Sequence, residues 1–166
     1  MKTFKTISKL LLIIMFAIAL TGCRKYKQTI DSENYKIDIK VSKKFDFKYK
    51  SNYFRTAREE AIISGDKFKI GIENPIKIKN KKEFDKFKKE YTKKEDFEEV
   101  KYSGYKGFIF FTPSYVRYEL YLNIDNKNIL RLNIYSRGSK KENIKAALES
   151  KDVQDILKHM KVKVKN

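Results

Sequence analysis

Two chemistry-bearing residue types occur once each in this chain, as Cys23 and His159. A serine or cysteine nucleophile would need His159 as its base. However, His159 falls at the C-terminal end of a predicted helix, where the helix dipole favours a cationic side chain. There is no second histidine for a metal site and no Gly-x-Ser-x-Gly turn. We therefore interpret His159 as structural and predict no catalytic residue and no metal site.

Adjacent acids are the next candidates for chemistry, at Glu59-Glu60, Glu95-Asp96 and Glu98-Glu99. Two carboxylates could act as a glycosidase pair or bind calcium. Neighbouring residues of a strand point to opposite faces, so the members of a pair diverge. No pair has the spacing of a calcium loop. We interpret these residues as solvated acids and, since phosphate-binding and dinucleotide motifs are also lacking, predict neither a cofactor nor enzyme activity.

A lattice of tyrosine, arginine and asparagine could instead form a recognition surface. One face of two predicted strands carries Tyr115, Arg117, Glu119, Tyr121 and Asn123 beside Arg131, Asn133 and Tyr135. Tyrosine and arginine are enriched where binding energy is concentrated. We predict a binding face here. The alternatives are that a helix covers it or that it is a solvated side of the sheet.

Cys23 ends a segment with the features of an export signal. Three lysines precede an uninterrupted apolar run at residues 10–20. The run is too short to span a bilayer but has the length of a signal-peptide core. It leads into Leu20-Thr21-Gly22-Cys23, which resembles the lipobox of bacterial lipoproteins. The resemblance implies cleavage between Gly22 and Cys23 and acylation of the Cys23 thiol.

These features predict a lipid-anchored protein on the extracytoplasmic face of the cell membrane. Two or three acyl chains hold a protein stably, and the basic residues at 24–27 add attraction to anionic headgroups. An ordinary signal peptide with a coincidental cysteine and a short membrane anchor are the alternatives. We expect a signal peptide over 1–22, a lipidated cysteine and basic tether over 23–34, and a single domain over 35–166.

The chain is strongly basic, with 39 Lys and Arg against 21 Asp and Glu and a formal net charge of +18. The cations are mainly lysines spread singly through the chain, and no known RNA-binding motif is present. We interpret the excess as the bias of an AT-rich genome. Attraction to anionic envelope polymers or lipids is the alternative, and nucleic-acid binding is disfavoured.

Alternation with a period of two predicts most of the mature chain as strands. Strands are expected over 35–41 and 45–49, a hairpin over 58–73, and an antiparallel meander over 98–136. Between them, apolar residues at Phe84, Phe87 and Tyr91 predict a helix over 81–92. We expect that stripe to pack on the sheet, with partner binding as the alternative.

Helices and one strand are predicted at the C-terminal end. Ser139 to Glu142 fits a capping box, and Ser150 is placed to cap a second helix. Met160 to Val164 alternates like a strand. In the meander, a two-residue loop at Asn126-Lys127 would pair Leu122 with Arg131 and bury an arginine. We therefore predict a loop of three or five residues with Asn or Asp in a left-handed conformation.

This order of elements predicts an α+β fold, an antiparallel β-sheet with a meander and helices packed on it. Over nearly all of residues 35–166 the order, ending in KDVQDILKHMKVKV, resembles the PsbP-type fold, which small bacterial lipoproteins also use. The chain is also similar to small lipoproteins of low-GC Gram-positive bacteria. Neither resemblance implies a functional residue. We expect a non-catalytic module that binds an envelope protein or another envelope component. The alternatives are a cell-envelope hydrolase and an anionic-polymer binding protein.

Overall fold

The computed structural model describes residues 26–41, 43–49 and 59–165. The predicted signal peptide, Gly22 and Cys23 lie outside the described residues. Within them the fold is α+β, as predicted, with every strand pair antiparallel. The strands are β1 (Tyr26–Asp31), β2 (Tyr35–Val41), β3 (Asp46–Tyr49), β4 (Glu59–Ser64), β5 (Phe68–Glu73), β6 (Ile76–Lys77), β7 (Glu98–Tyr102), β8 (Tyr105–Thr112), β9 (Arg117–Asn123), β10 (Asn128–Ser136) and β11 (Met160–Val164). The helices are α1 (Lys81–Lys89), α2 (Lys141–Glu149) and α3 (Lys151–His159).

The described strands form two sheets. The larger has the order β3-β4-β5-β10-β9-β8-β7, with β6 paired to Asn128 and Ile129 at the start of β10. It joins the predicted hairpin to the predicted meander by pairing β5 with β10. The smaller sheet has the order β1-β2-β11. The predicted final strand therefore forms, but it belongs to the smaller sheet.

One apolar core lies between the two sheets and the C-terminal helices. Even-numbered residues of β9 and β10, such as Leu122 and Leu130, face it from the large sheet. Ile37 and Ile39 of β2 face it from the small sheet, and Ile156 of α3 closes one side. All five are almost completely buried. The face of the large sheet that carries these even-numbered residues is therefore its core face. We call the opposite side its second face.

Helix α1 covers part of the opposite face of the large sheet. Phe84 and Phe87 of α1, with Tyr91 just beyond it, pack against Phe108 and Tyr121. The rings of Phe108 and Tyr121 stack with centroids 5.0 Å apart. The apolar stripe of the predicted helix thus packs on the chain's own sheet.

The loop between β9 and β10 has the predicted form. Leu122 pairs with Leu130, and the Ile124 amide donates to the Asn128 carbonyl, which leaves a three-residue loop. Asn126 has φ of 63° in that loop. Asparagine tolerates the left-handed region because its short side chain bonds locally, and here Asn126 Oδ1 accepts from Asn123.

Two expectations about the secondary structure are wrong. The tether expected over 23–34 contains β1, because the backbone of residues 26–31 pairs with β2. Its sequence, YKQTID, has almost no alternation of apolar and polar residues, and only Ile30 of β1 is buried. The capping box at Ser139 does not form either, because α2 begins one residue later and its N-cap, Lys140, makes no side-chain cap. Ser150 caps α3 as predicted, accepting from the Val153 amide.

Candidate binding site

A polar network lies on the second face of the large sheet, beside the area that α1 covers. Four neighbouring strands contribute to it, because the odd-numbered residues of β5, β9 and β10 point to this face. Strand β4 joins them through a β-bulge between Glu59 and Ala61. The bulge places Glu59 opposite Glu73, on the network's face rather than on the core face with Ala61.

Two arginines hold Glu119 at the centre of this network. Arg117 donates from Nε and Nη2 to Glu119 Oε1 at 3.0 and 2.9 Å. Arg131 donates from Nη2 to Glu119 Oε2 at 2.7 Å and from Nη1 to Glu73 Oε2 at 3.0 Å. Glu119 is only 4% exposed, and its carboxylate is matched by hydrogen bonds from two cations.

Asn133 and Tyr135 connect these ion pairs to Glu59. The Asn133 amide donates to Glu59 Oε1 at 2.9 Å and to Glu73 Oε1 at 2.8 Å, so two carboxylates orient it. The Tyr135 hydroxyl donates to Glu59 Oε1 at 2.6 Å and accepts from Arg117 Nη1 at 2.9 Å. The network therefore runs without a break across all four strands.

Gly71 provides the space in which the Glu59 carboxylate lies. A Cβ atom built on Gly71 would come within 2.1 Å of Glu59 Oε1. Gly71 is paired with Asn133 on the neighbouring strand, directly beneath the network. Any side chain at position 71 would therefore push Glu59 away from its partners.

The network opens into a pocket of about 730 Å³. Among the described residues its lining consists of Glu59, Ile62, Lys69, Gly71, Tyr115, Arg117, Tyr135, Ser136 and Arg137. Three of these carry a positive charge and one carries a negative charge. The deeper carboxylates of Glu73 and Glu119 do not reach the lining.

Arg117 contacts two aromatic side chains at this pocket. Its guanidinium carbon lies 4.7 Å from the centroid of the Tyr115 ring and 5.9 Å from that of Tyr135. Tyr115 is 64% exposed, at the end of a 3-10 turn. Val116, between Tyr115 and Arg117, has φ of 50°, which is strained for a β-branched residue. The strained backbone places both side chains at the pocket.

The network's environment fixes its protonation. Burial opposes ionisation of Glu119, but the charges of Arg131 and Arg117 outweigh it and lower the pKa of its carboxyl. Burial and the hydrogen bond to Glu59 raise the pKa of Tyr135. Burial also raises the pKa of Tyr121, whose hydroxyl donates to Glu119 at 3.0 Å. At neutral pH the tyrosines remain donors and Glu119 remains an acceptor.

The predicted binding face is therefore divided in the structure. Tyr115, Arg117 and Tyr135 line the pocket, while Glu119, Arg131 and Asn133 lie in the buried network. Two further residues of the predicted face do not line the pocket. Tyr121 is 2% exposed because it packs beneath α1, and Asn123 is bound to Asn126 in the β9–β10 loop.

Several residues of the site are not predicted by the sequence pattern. The interpretation of Glu59 as a solvated acid is wrong, because Glu59 is 8% exposed and belongs to the network. Its neighbour Glu60 diverges from it, as expected, and contacts Asn74 instead. Glu73, Lys69, Gly71 and Arg137 were also missed. The sequence contains one signal for the two acids. Glu59 and Glu73 stand at the two ends of the predicted hairpin, and the predicted meander carries Arg117 and Arg131, which could pair with them.

Comparison with protein-family models, with curated proteins and with solved structures found no match to this chain. The resemblance to the PsbP-type fold stays a prediction. No group of three or more His, Cys, Asp or Glu side chains among the described residues is placed to hold a metal ion. None of the described helices has the length and apolar character needed to cross a membrane.

Proposed function

We propose that this chain is a lipid-anchored extracytoplasmic binding protein whose ligand occupies the pocket beside Tyr115, Arg117 and Tyr135. The supporting observation is the Arg117 guanidinium at the pocket, which lies against the Tyr115 ring and is fixed by a hydrogen bond to the Tyr135 hydroxyl. Three of its five N–H groups are used by Glu119 and Tyr135, which leaves two for a ligand.

The charges of the lining favour a small ligand with an anionic group. Lys69 and Arg137 are exposed at the pocket and bring two further positive charges to it. Tyr115 offers an exposed ring, against which an apolar or planar part of the ligand can stack. Glu59 is the one carboxylate among the described lining residues, and it accepts hydrogen bonds from donors on the ligand.

The anchor in this proposal is carried by the N-terminal sequence. The lipobox Leu20-Thr21-Gly22-Cys23 follows an apolar run of signal-peptide length. A diacylated Cys23 would keep the domain at the membrane surface. The ligand would then be a component of the cell envelope.

The pocket is tested by recovering its ligand. The lipidated protein is purified from native membranes, and small molecules released on denaturation are identified by mass spectrometry. We expect a ligand to co-purify with the wild-type protein and with Tyr26→Ala, a control in which another exposed tyrosine is lost. It should be absent from Tyr115→Ala and Arg137→Ala.

Two outcomes would contradict a specific pocket. One is a ligand that Tyr115→Ala retains as well as the wild type does. The other is binding that disappears between low and moderate salt regardless of Tyr115, because that dependence is typical of attraction between a basic surface and an anionic polymer.

A further inference from the structure

The outer face of the small sheet is a surface rich in lysine. Strand pairing places eight side chains of β1, β2 and β11 on this face, opposite the core. Five are lysines, two are aspartates and one is a threonine. They are Lys27, Thr29, Asp31, Lys36, Asp38, Lys40, Lys161 and Lys163. We call these eight residues the lysine face.

The lysines of this face point to solvent. Lys27, Lys40, Lys161 and Lys163 are exposed, and Lys36 is half-buried. The residues that alternate with them, such as Ile37 and Ile39, are buried in the core. The aspartates are partly engaged, since Asp38 lies 3.8 Å from Lys27 and Asp31 pairs with Lys165. The lysine face therefore presents a net positive charge over two neighbouring strand pairs.

The start of β1 ties this face to the predicted anchor. Strand β1 begins at Tyr26, only three residues after Cys23. Three residues of extended chain reach at most about 11 Å. Because β1 is paired along its whole length with β2, it cannot extend to lift the domain further. The corner of the sheet that holds Lys27 and its partner Lys40 must then lie close to the lipid headgroups.

We propose that the lysine face docks on an anionic bilayer. The proposal rests on the lipid anchor of the proposed function, which places the face within reach of headgroup charges. The Debye length at physiological salt is about 8 Å, so lysines near the anchor interact with the surface. Each lysine held near an anionic membrane strengthens the association by about fivefold.

Docking through this face would turn the pocket away from the membrane. The apolar core lies between the inner face of the small sheet and the core face of the large sheet. The pocket of Tyr115 and Arg117 opens on the second face of the large sheet. The lysine face and the pocket are therefore on opposite sides of the protein, and docking would leave the pocket open to a ligand in the envelope.

The proposal is tested by lysine protection on vesicles. The full lipidated protein is reconstituted into vesicles of phosphatidylcholine alone or mixed with phosphatidylglycerol. A water-soluble reagent then acetylates its lysines, which are read out by peptide mass spectrometry. Lys82, Lys86 and Lys89 of α1 are exposed on the pocket side and serve as the reference.

We expect Lys40, Lys161 and Lys163 to react at least about fivefold more slowly than the reference on phosphatidylglycerol vesicles. The protection should disappear at high salt and on phosphatidylcholine. Replacing these three lysines by glutamine should also expose Lys27, whereas the matched triple change Lys82→Gln, Lys86→Gln and Lys89→Gln should not. Equal reactivity of the two sets on phosphatidylglycerol vesicles overturns the docking proposal.

The same experiment distinguishes an error in the proposed anchor from an error in the proposed docking. If the protein leaves phosphatidylcholine vesicles, the anchor is wrong. If it stays on both kinds of vesicle while its lysine face reacts like the reference, the anchor is correct and the docking is wrong. Protection that is the same on both kinds of vesicle also overturns the proposal, because it would not depend on the charge of the lipid.

Discussion

The carboxylate of Glu59 lies directly over Gly71, where a Cβ atom would come within 2.1 Å of Oε1. Glu59 and Gly71 are on adjacent strands, and the bulge in β4 brings them to the same face. The pocket therefore depends on a residue that has no side chain. This relationship can be tested apart from any ligand.

Gly71→Ala should lower the free energy of unfolding by about 2 kcal/mol, because it forces Glu59 away from Asn133 and Tyr135 and leaves buried groups without partners. The measurement is chemical denaturation. In a Glu59→Ala background the same change should cost almost nothing, since the obstructing carboxylate is gone. An equal cost in both backgrounds would show that Gly71 is needed for another reason.

Tyr115→Ala should separate ligand binding from stability. Tyr115 is 64% exposed, so its loss should change the free energy of unfolding by less than about 1 kcal/mol. Its ring lies on the Arg117 guanidinium at the pocket. We expect affinity for the recovered ligand to fall at least about tenfold, measured by calorimetry. A large loss of stability with unchanged affinity would assign Tyr115 a structural role.

Glu119→Gln should destabilise the protein by about 3 kcal/mol at pH 7, because it leaves Arg117 and Arg131, whose side chains are only 13% and 11% exposed, short of a carboxylate. The folded-state pKa of Glu119 is lowered. Its contribution is therefore present above the ordinary glutamate pKa of about 4.3 and is lost as the pH falls through the lower folded value.

The pH dependence gives this prediction its control. Denaturation at several pH values should show that Glu119→Gln loses less stability between neutral and acidic pH than the wild type does. Glu98→Gln, which removes an exposed carboxylate, should follow the wild-type curve. Parallel curves for Glu119→Gln and the wild type would contradict the lowered pKa.

Ser150→Ala should cost about 1 kcal/mol of stability, because its hydroxyl oxygen accepts from the Val153 amide at the start of α3. The same hydroxyl donates to the Ala147 carbonyl at the end of α2. Ser139→Ala is the matched control and should leave the melting temperature unchanged, since the structure gives the N-cap of α2 to Lys140. If Ser139→Ala lowered the melting temperature as much as Ser150→Ala, Ser139 would cap α2 in solution and the N-cap at Lys140 would be wrong.

Cys23→Ala should leave the precursor without lipid and release the protein from the membrane fraction. The measurements are cell fractionation and the mass of the N-terminal peptide. Tyr26→Ala, which leaves the lipobox intact, is the control. Unchanged membrane retention together with the absence of a lipid-derived mass in the wild type would refute the anchor.

The sequence predicts the meander well because its register is a local property. The parity of Leu122 and Leu130, with the need to keep Arg131 out of the core, leaves few loop lengths, and the structure has one of them. The hairpin of β4 and β5 and the helix α1 are likewise local patterns. These elements needed no knowledge of their distant partners.

The site is harder to predict because it depends on contacts between distant segments. Simple alternation puts Glu59 on the face of Ala61, and the bulge moves it to the other face. Tyr121 looks like a surface residue until α1, which lies earlier in the chain, covers it. Strand β1 escapes detection because pairing with β2, and not burial of its own side chains, holds it in place.

The position of strand β10 within the large sheet affects how the pocket selects its ligand. It lies in the interior of the large sheet and places Leu130 and Leu132 in the core while Asn133 and Tyr135 form the floor of the network. A ligand cannot move the backbone beneath Asn133 and Tyr135 without disturbing the packing of Leu130 and Leu132 in the core. The base of the pocket is thus preorganised: little entropy is lost in ordering it, and it can discriminate between ligands by their fit to a fixed arrangement of polar groups.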